Sequence, residues 1–118
     1  MQRGKLPFRG GAELKRNEHW LSEVDCIIME ATTANRRLVD IAIIQAVEVD
    51  GKRRQVLRCD NCHGSLHRHV LYEWKERREE LGLEVTWENV YRIISAMKEN
   101  WLERRNRYLA KIGRRDLV

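Results

Sequence analysis

One proline, three cysteines and one phenylalanine are all that this chain of 118 residues contains of those types. It also has no apolar run near the ~18 residues that a membrane helix needs. Each shortage excludes something. No segment is expected to span a bilayer. The first twenty residues are polar and basic, without the apolar stretch of a secretory signal, so a cytoplasmic protein is expected. Three cysteines in such a compartment do not make a disulfide framework. With seven glycines, one proline and 42% hydrophobic residues the chain is neither low-complexity nor disordered. Its length suits one domain over 1–118.

What is present is charge, and it is segregated. The formal net charge is +5. Bases outnumber acids in 1–20, 51–74 and 100–118, whereas 21–50 is acidic and 75–99 is near balance. Lys52, Arg53 and Arg54, and farther on Arg104, Arg105, Arg107, Arg114 and Arg115, are therefore candidates for phosphate contact with RNA. A surplus of five permits a nucleic-acid partner without requiring one.

The hydrophobic pattern predicts an α+β fold: a four-stranded antiparallel meander followed by one long C-terminal helix packed on one face. Residues 12–20 read as a short helix or irregular lead-in. Strands are expected over 22–31, 38–49, 53–61 and 66–74. Within the second, Val39, Ile41, Ile43, Val47 and Val49 alternate onto one face. Asp50-Gly51 is a hairpin signal, and Gly64-Ser65 reads as a second two-residue turn. Residues 75–82 (KERREELG) suggest a short helix stopped by Gly82. Thr86 then caps a helix over 86–113, in which Trp87, Val90, Tyr91, Ile94, Met97 and Trp101 recur at spacings of three and four and Gly113 ends the run. A helix of ~26 residues is ~39 Å long, more than a sheet of ordinary strands can cover, so its arginine-rich half should overhang, bend or pack on a partner, for instance in a homodimer.

Three of four histidines and two of three cysteines fall within Arg58–His69 (RCDNCHGSLHRH). A Gly64-Ser65 turn sets Cys62 opposite His67, Asn61 opposite Arg68 and Asp60 opposite His69. Arg58, Asp60, Cys62, His67 and His69 then share one face, and Leu57, Cys59, Val70, Tyr72 and Trp74 the other. The first set suits acid–base cleavage of RNA. His67 and His69, ~7 Å apart along a strand, would flank a phosphate and exchange protons with it. Arg58 or Arg68 would balance charge on that phosphate, and Asp60 would orient an imidazole. No cofactor is needed for that chemistry. The alternative is zinc: among Cys59, Cys62, His63, His67 and His69, the set sharing a face is Cys62, His67 and His69. Cys59-Asp60-Asn61-Cys62-His63 also fits the C-x-x-C-H pattern of haem attachment, which is at odds with a cytoplasmic setting. Cys26, in an apolar strand, reads as a buried small hydrophobe.

The segment Asp60-Asn61-Cys62-His63-Gly64-Ser65-Leu66-His67-Arg68-His69 resembles the D-N-x-x-G…H-R-H signature of the TumE-like family of prokaryotic type II toxin–antitoxin toxins. Similarity extends more weakly over 22–102, including a helix start like Thr86-Trp87-Glu88-Asn89-Val90. The chain differs from that family in Cys59, in a shorter spacing between Gly64 and His67, in an insertion at 75–84 and in a basic tail. The resemblance implies a growth-inhibiting protein acting on RNA and neutralised by a helix-turn-helix antitoxin. Asp60, Asn61, Gly64, His67, Arg68 and His69 match the signature. A toxin that cleaves RNA is thus the expected function. The alternatives are a non-enzymatic RNA-binding or partner-binding module and a small zinc protein.

Overall fold

The computed structural model describes residues 13–62 and 64–117. Six strands form one antiparallel meander: β1 (Glu13–Trp20), β2 (Asp25–Ala34), β3 (Arg37–Val49), β4 (Lys52–Asp60), β5 (His67–Val70) and β6 (Arg77–Glu80). Two helices follow, α1 (Trp87–Lys98) and α2 (Trp101–Leu117). The expected four strands and single long helix are thus corrected to six strands and two helices. The class, α+β, is unchanged.

The two extra strands are the sheet's edges: β1 replaces an expected short helix or irregular lead-in, and β6 an expected short helix. β1 covers 13–20, all but the first residue of the segment 12–20; residues 1–12 lie outside the described residues. Its side chains are nearly all exposed, so it has no apolar alternation to read. It is a strand because its backbone pairs with β2 along its whole length. Arg16 stands opposite Glu30 and bonds it at 3.2 Å. β6 is Arg-Arg-Glu-Glu, residues of good helix propensity. Its backbone pairs with β5, and Glu79 stands opposite Arg68 and accepts a 2.5 Å hydrogen bond from its Nε. Charged edges of this kind resist pairing with foreign strands.

The inner strands follow the expected pattern more closely. Asp50 and Gly51 both have positive φ (52° and 77°), as a tight right-twisted hairpin requires. Asn35 and Arg36 form the preceding turn in the same left-handed region (53° and 65°). β3 is buried from Ile41 to Val47 on both faces, so the alternation in the sequence describes only part of it. One face packs on α1: Ile27, Met29, Ile41, Ile43, Leu57, Cys59 and Val70 meet Val90, Ile93 and Met97. Val39 lies outside this core, 39% exposed, and so does Tyr91 at 59%.

The expected helix over 86–113 starts on the expected cap: Thr86 Oγ1 accepts from Asn89 N–H at 3.1 Å. It breaks at Glu99-Asn100, where Asn100 takes φ 58°. Arg104 folds back to donate to the carbonyls of Met97 (2.5 Å) and Glu99 (2.9 Å), closing the end of α1. The side-chain amide of Gln45 donates to Trp101 O at 2.9 Å, and Gln45 Oε1 accepts from Arg104 Nε at 2.7 Å. The bend brings Tyr108 onto Val47 and Val56. Buried Lys111 donates to Leu71 O at 2.7 Å and pairs with Glu76. α2 is therefore built into the fold rather than overhanging it, and it continues through Gly113. Among the described residues no helix is long and apolar enough to cross a membrane.

The left-handed Asn100 is a testable joint. Asn100→Gly is expected to leave stability within about 0.5 kcal/mol, whereas the β-branched Asn100→Val costs about 1–2 kcal/mol. Urea unfolding midpoints of the two variants check this.

Candidate functional site

The β4–β5 connection is longer than a two-residue turn. β4 ends at Asp60 and β5 begins at His67. Asn61 explains why the ladder stops there. Its side chain takes over the pairing with β3, accepting from Ile41 N–H (3.0 Å) and donating to Val39 O (2.8 Å). Asp60 consequently stands opposite His67, and Arg58 opposite His69. This register is displaced by two residues from the expected one. Side chains alternate with a period of two, so Arg58, Asp60, His67 and His69 still share a face, the one turned away from α1.

Asp60 is the hub. Its Oδ1 lies 2.8 Å from His67 Nε2 and accepts from Cys62 N–H at 3.1 Å. Its Oδ2 accepts from Arg58 Nε at 2.7 Å and lies 3.8 Å from His69 Nε2. His67 is 1% exposed. Its Nδ1 donates to Ser65 O at 3.2 Å, so the ring has an oxygen acceptor at each nitrogen. His69 is only half-buried. The two rings meet edge to face with centroids 4.9 Å apart. That contact leaves no room for a phosphate between them, contrary to the expected flanking arrangement.

A second guanidinium joins this face. β6 places Arg78 opposite His69, so Arg58, His69 and Arg78 stand in one row across three strands. Arg78 Nη2 lies 3.5 Å from His67 Nδ1, and Arg78 pairs with Glu80 at 3.0 Å. The next row is Asp60, His67 and Glu80, and Glu80 also accepts from Ser65 Oγ. Arg78 is invisible as a site residue while 75–82 is read as a helix.

Burial acts against the Asp60 charge. The hydrogen bonds from Arg58 and Cys62 N–H, with the charges of Arg58 and His67, outweigh it and hold the carboxyl below its ordinary value. A depressed carboxyl stabilises the fold above its unfolded pKa, and that contribution is lost as pH falls through the folded value. Thermal unfolding is therefore expected to shift downward as pH drops below about 4, the unfolded carboxyl value. Asp60→Asn should lack this component when the two pH profiles are compared.

The other candidates are dispersed. Arg68 faces the α1 side, paired with Glu79. Arg53 pairs with Glu18 (3.1 Å) and Glu48 (3.8 Å) and lies over Trp20. Lys52 and Arg54 are exposed at the start of β4. Arg104 gives its Nε and Nη2 to the helix break. Arg105 pairs with fully buried Asp25 at 3.3 Å, and Arg107 pairs with Glu73 and lies over Tyr72. These three helix arginines hold the fold together rather than forming a free basic track. The side chains of Arg114 and Arg115, and the whole of His63, lie outside the described residues.

Cys62 is exposed in the turn, whereas Cys59 is buried beneath α1, its thiol pushed up to about 11 by burial. The two thiols of C-x-x-C-H therefore cannot meet one haem. Among the described residues, the metal-capable group is Asp60, His67 and His69, with ligand atoms within 4.8 Å of one another. Asp60 stands in it where Cys62 was expected.

No curated protein and no solved structure matches this chain. A family does, over residues 12–114, which include the whole of this site, and the chain belongs to it: the domain of unknown function DUF7718.

Proposed function

We propose that the Arg58–His69–Arg78 row, backed by the Asp60–His67 pair, is an RNA-cleaving centre, and that the chain is the toxin of a type II toxin–antitoxin pair. The cleavage reading is carried by the placement of His69 between two guanidiniums on a face with a single buried carboxylate. The toxin reading rests on the resemblance in Asp60–His69, and an antitoxin partner comes with it.

In the proposed step the ribose 2′-hydroxyl gives its proton to His69 Nε2 and its oxygen attacks phosphorus. The 5′-oxygen leaves and takes a proton from solvent. Arg58 and Arg78 balance the charge that gathers on the phosphoryl oxygens. Asp60, with Oδ2 3.8 Å from His69 Nε2, faces the proton that this nitrogen takes up. His67 is clamped between Ser65 O and Asp60 and acts as a positioning residue.

A second reading is a divalent metal such as zinc on Asp60, His67 and His69. It is favoured by the Ser65 carbonyl, which holds Nδ1–H of His67 and turns Nε2 toward the cluster. Arg58, bonded to the same carboxylate, opposes a cation there. Incubating the purified protein with single-stranded RNA in EDTA separates the readings. Cleavage undiminished by chelation is the expected result. Cleavage that stops in EDTA and returns with zinc favours the metal. Salt-sensitive RNA binding with no cleavage favours a binding module and sinks the catalytic proposal.

A further inference from the structure

β5 is four residues long and presents alternate residues to opposite sides of the sheet. His67 and His69 face the site described above. Arg68, between them, points the other way, toward a cavity of about 270 Å³ under α1. The floor of that cavity is apolar, formed by Leu57, Cys59 and Met97, all at most 3% exposed. Its rim carries three guanidiniums, Arg68, Arg92 and Arg104, and no carboxylate lines it.

The cations are incompletely used. Arg68 spends its Nε on Glu79. Among the described residues its side chain pairs with no second carboxylate. Arg92 has one loose pair, with Glu88 at 3.5 Å on the helix surface. Burial lowers the pKa of Arg104, and the like charge of Arg68 adds to that lowering. Two guanidiniums held near one another above an apolar floor make a site for an anion with an apolar body. The volume lies just under the ~300 Å³ at which small-molecule sites begin, which limits the occupant to a short chain or a single ring.

We propose that this cavity binds a small organic carboxylate, with the carboxylate on Arg68 and Arg104 and the apolar body on Leu57, Cys59 and Met97. Such a ligand would sit directly behind the strand that carries both histidines. This site does not depend on the RNA-cleaving reading.

Octanoate is the probe, titrated calorimetrically into the full chain, with the Met97 methyl signal followed by NMR. Saturable binding is expected, with a Met97 shift, and Arg68→Gln should weaken it about tenfold or more, as loss of a charged hydrogen bond implies. Arg68 is partly exposed, so the variant should fold, and its unfolding midpoint checks this. Octylamine should not bind, since it presents a cation to cations. Inorganic phosphate should bind far more weakly, because it gains nothing from the floor. The proposal is overturned by absence of octanoate binding or by undiminished binding to folded Arg68→Gln. Equal binding of octylamine or of phosphate overturns it as well.

Discussion

His69→Ala is expected to lower RNA cleavage by about 10²–10⁴-fold, the range for loss of a general acid or base. Stability should stay within about 0.5 kcal/mol, because the side chain is only half-buried and lies 3.8 Å from its nearest carboxylate oxygen. His67→Ala should behave differently. That ring is buried and bonded at both nitrogens, so its removal takes one partner each from Asp60 Oδ1 and the Ser65 carbonyl, empties a buried site and lowers the unfolding midpoint. A single-turnover assay on folded protein, paired with urea unfolding, separates the two roles. If folded His69→Ala cleaves as fast as the parent chain, His69 is not the proton acceptor and the mechanism fails. If His67→Ala loses activity with no change in stability, its assignment as a positioning residue fails.

The largest stability effect is expected at Asp60. Asp60→Ala removes the anion shared by His67 and Arg58 and the acceptor of Cys62 N–H. Breaking a buried ion pair from one side costs ~3–5 kcal/mol, because the remaining charge stays desolvated. Arg58 is about one-third exposed and keeps some water, so about 3 kcal/mol is expected. Asp60→Asn keeps an oxygen acceptor and the shape, and should cost less. Denaturant midpoints of the two variants near neutral pH test the order. Equal losses would mean that charge, and not shape, holds this corner of the sheet.

Both predictions concern residues that the sequence alone marks. The period of two made that reading robust: the displaced register moved every partner by two residues and changed no face. What it hid was distance. Side chains assigned to one face still had to be packed. Only the observed register set the two imidazoles edge to face and made His67 a buried brace.

The sequence by itself determined the central hairpins, the Asp50-Gly51 turn, the Thr86 cap and the clustering of Asp60, His67 and His69. These depend on local chemistry: β-branched runs, residues that tolerate positive φ, a capping hydroxyl and alternation along a strand. Tertiary structure decided the rest. β1 and β6 are strands because a neighbour's backbone needs pairing, and their charged side chains carry no apolar pattern to announce it. The expected single helix breaks because Asn100 turns left-handed while Arg104 and Gln45, 59 residues apart in the chain, hold the bend. The same long-range pairing that makes β6 a strand places Arg78 beside His69. Arg78, which no local pattern marks, thereby completes the row in which His69 stands between two guanidiniums.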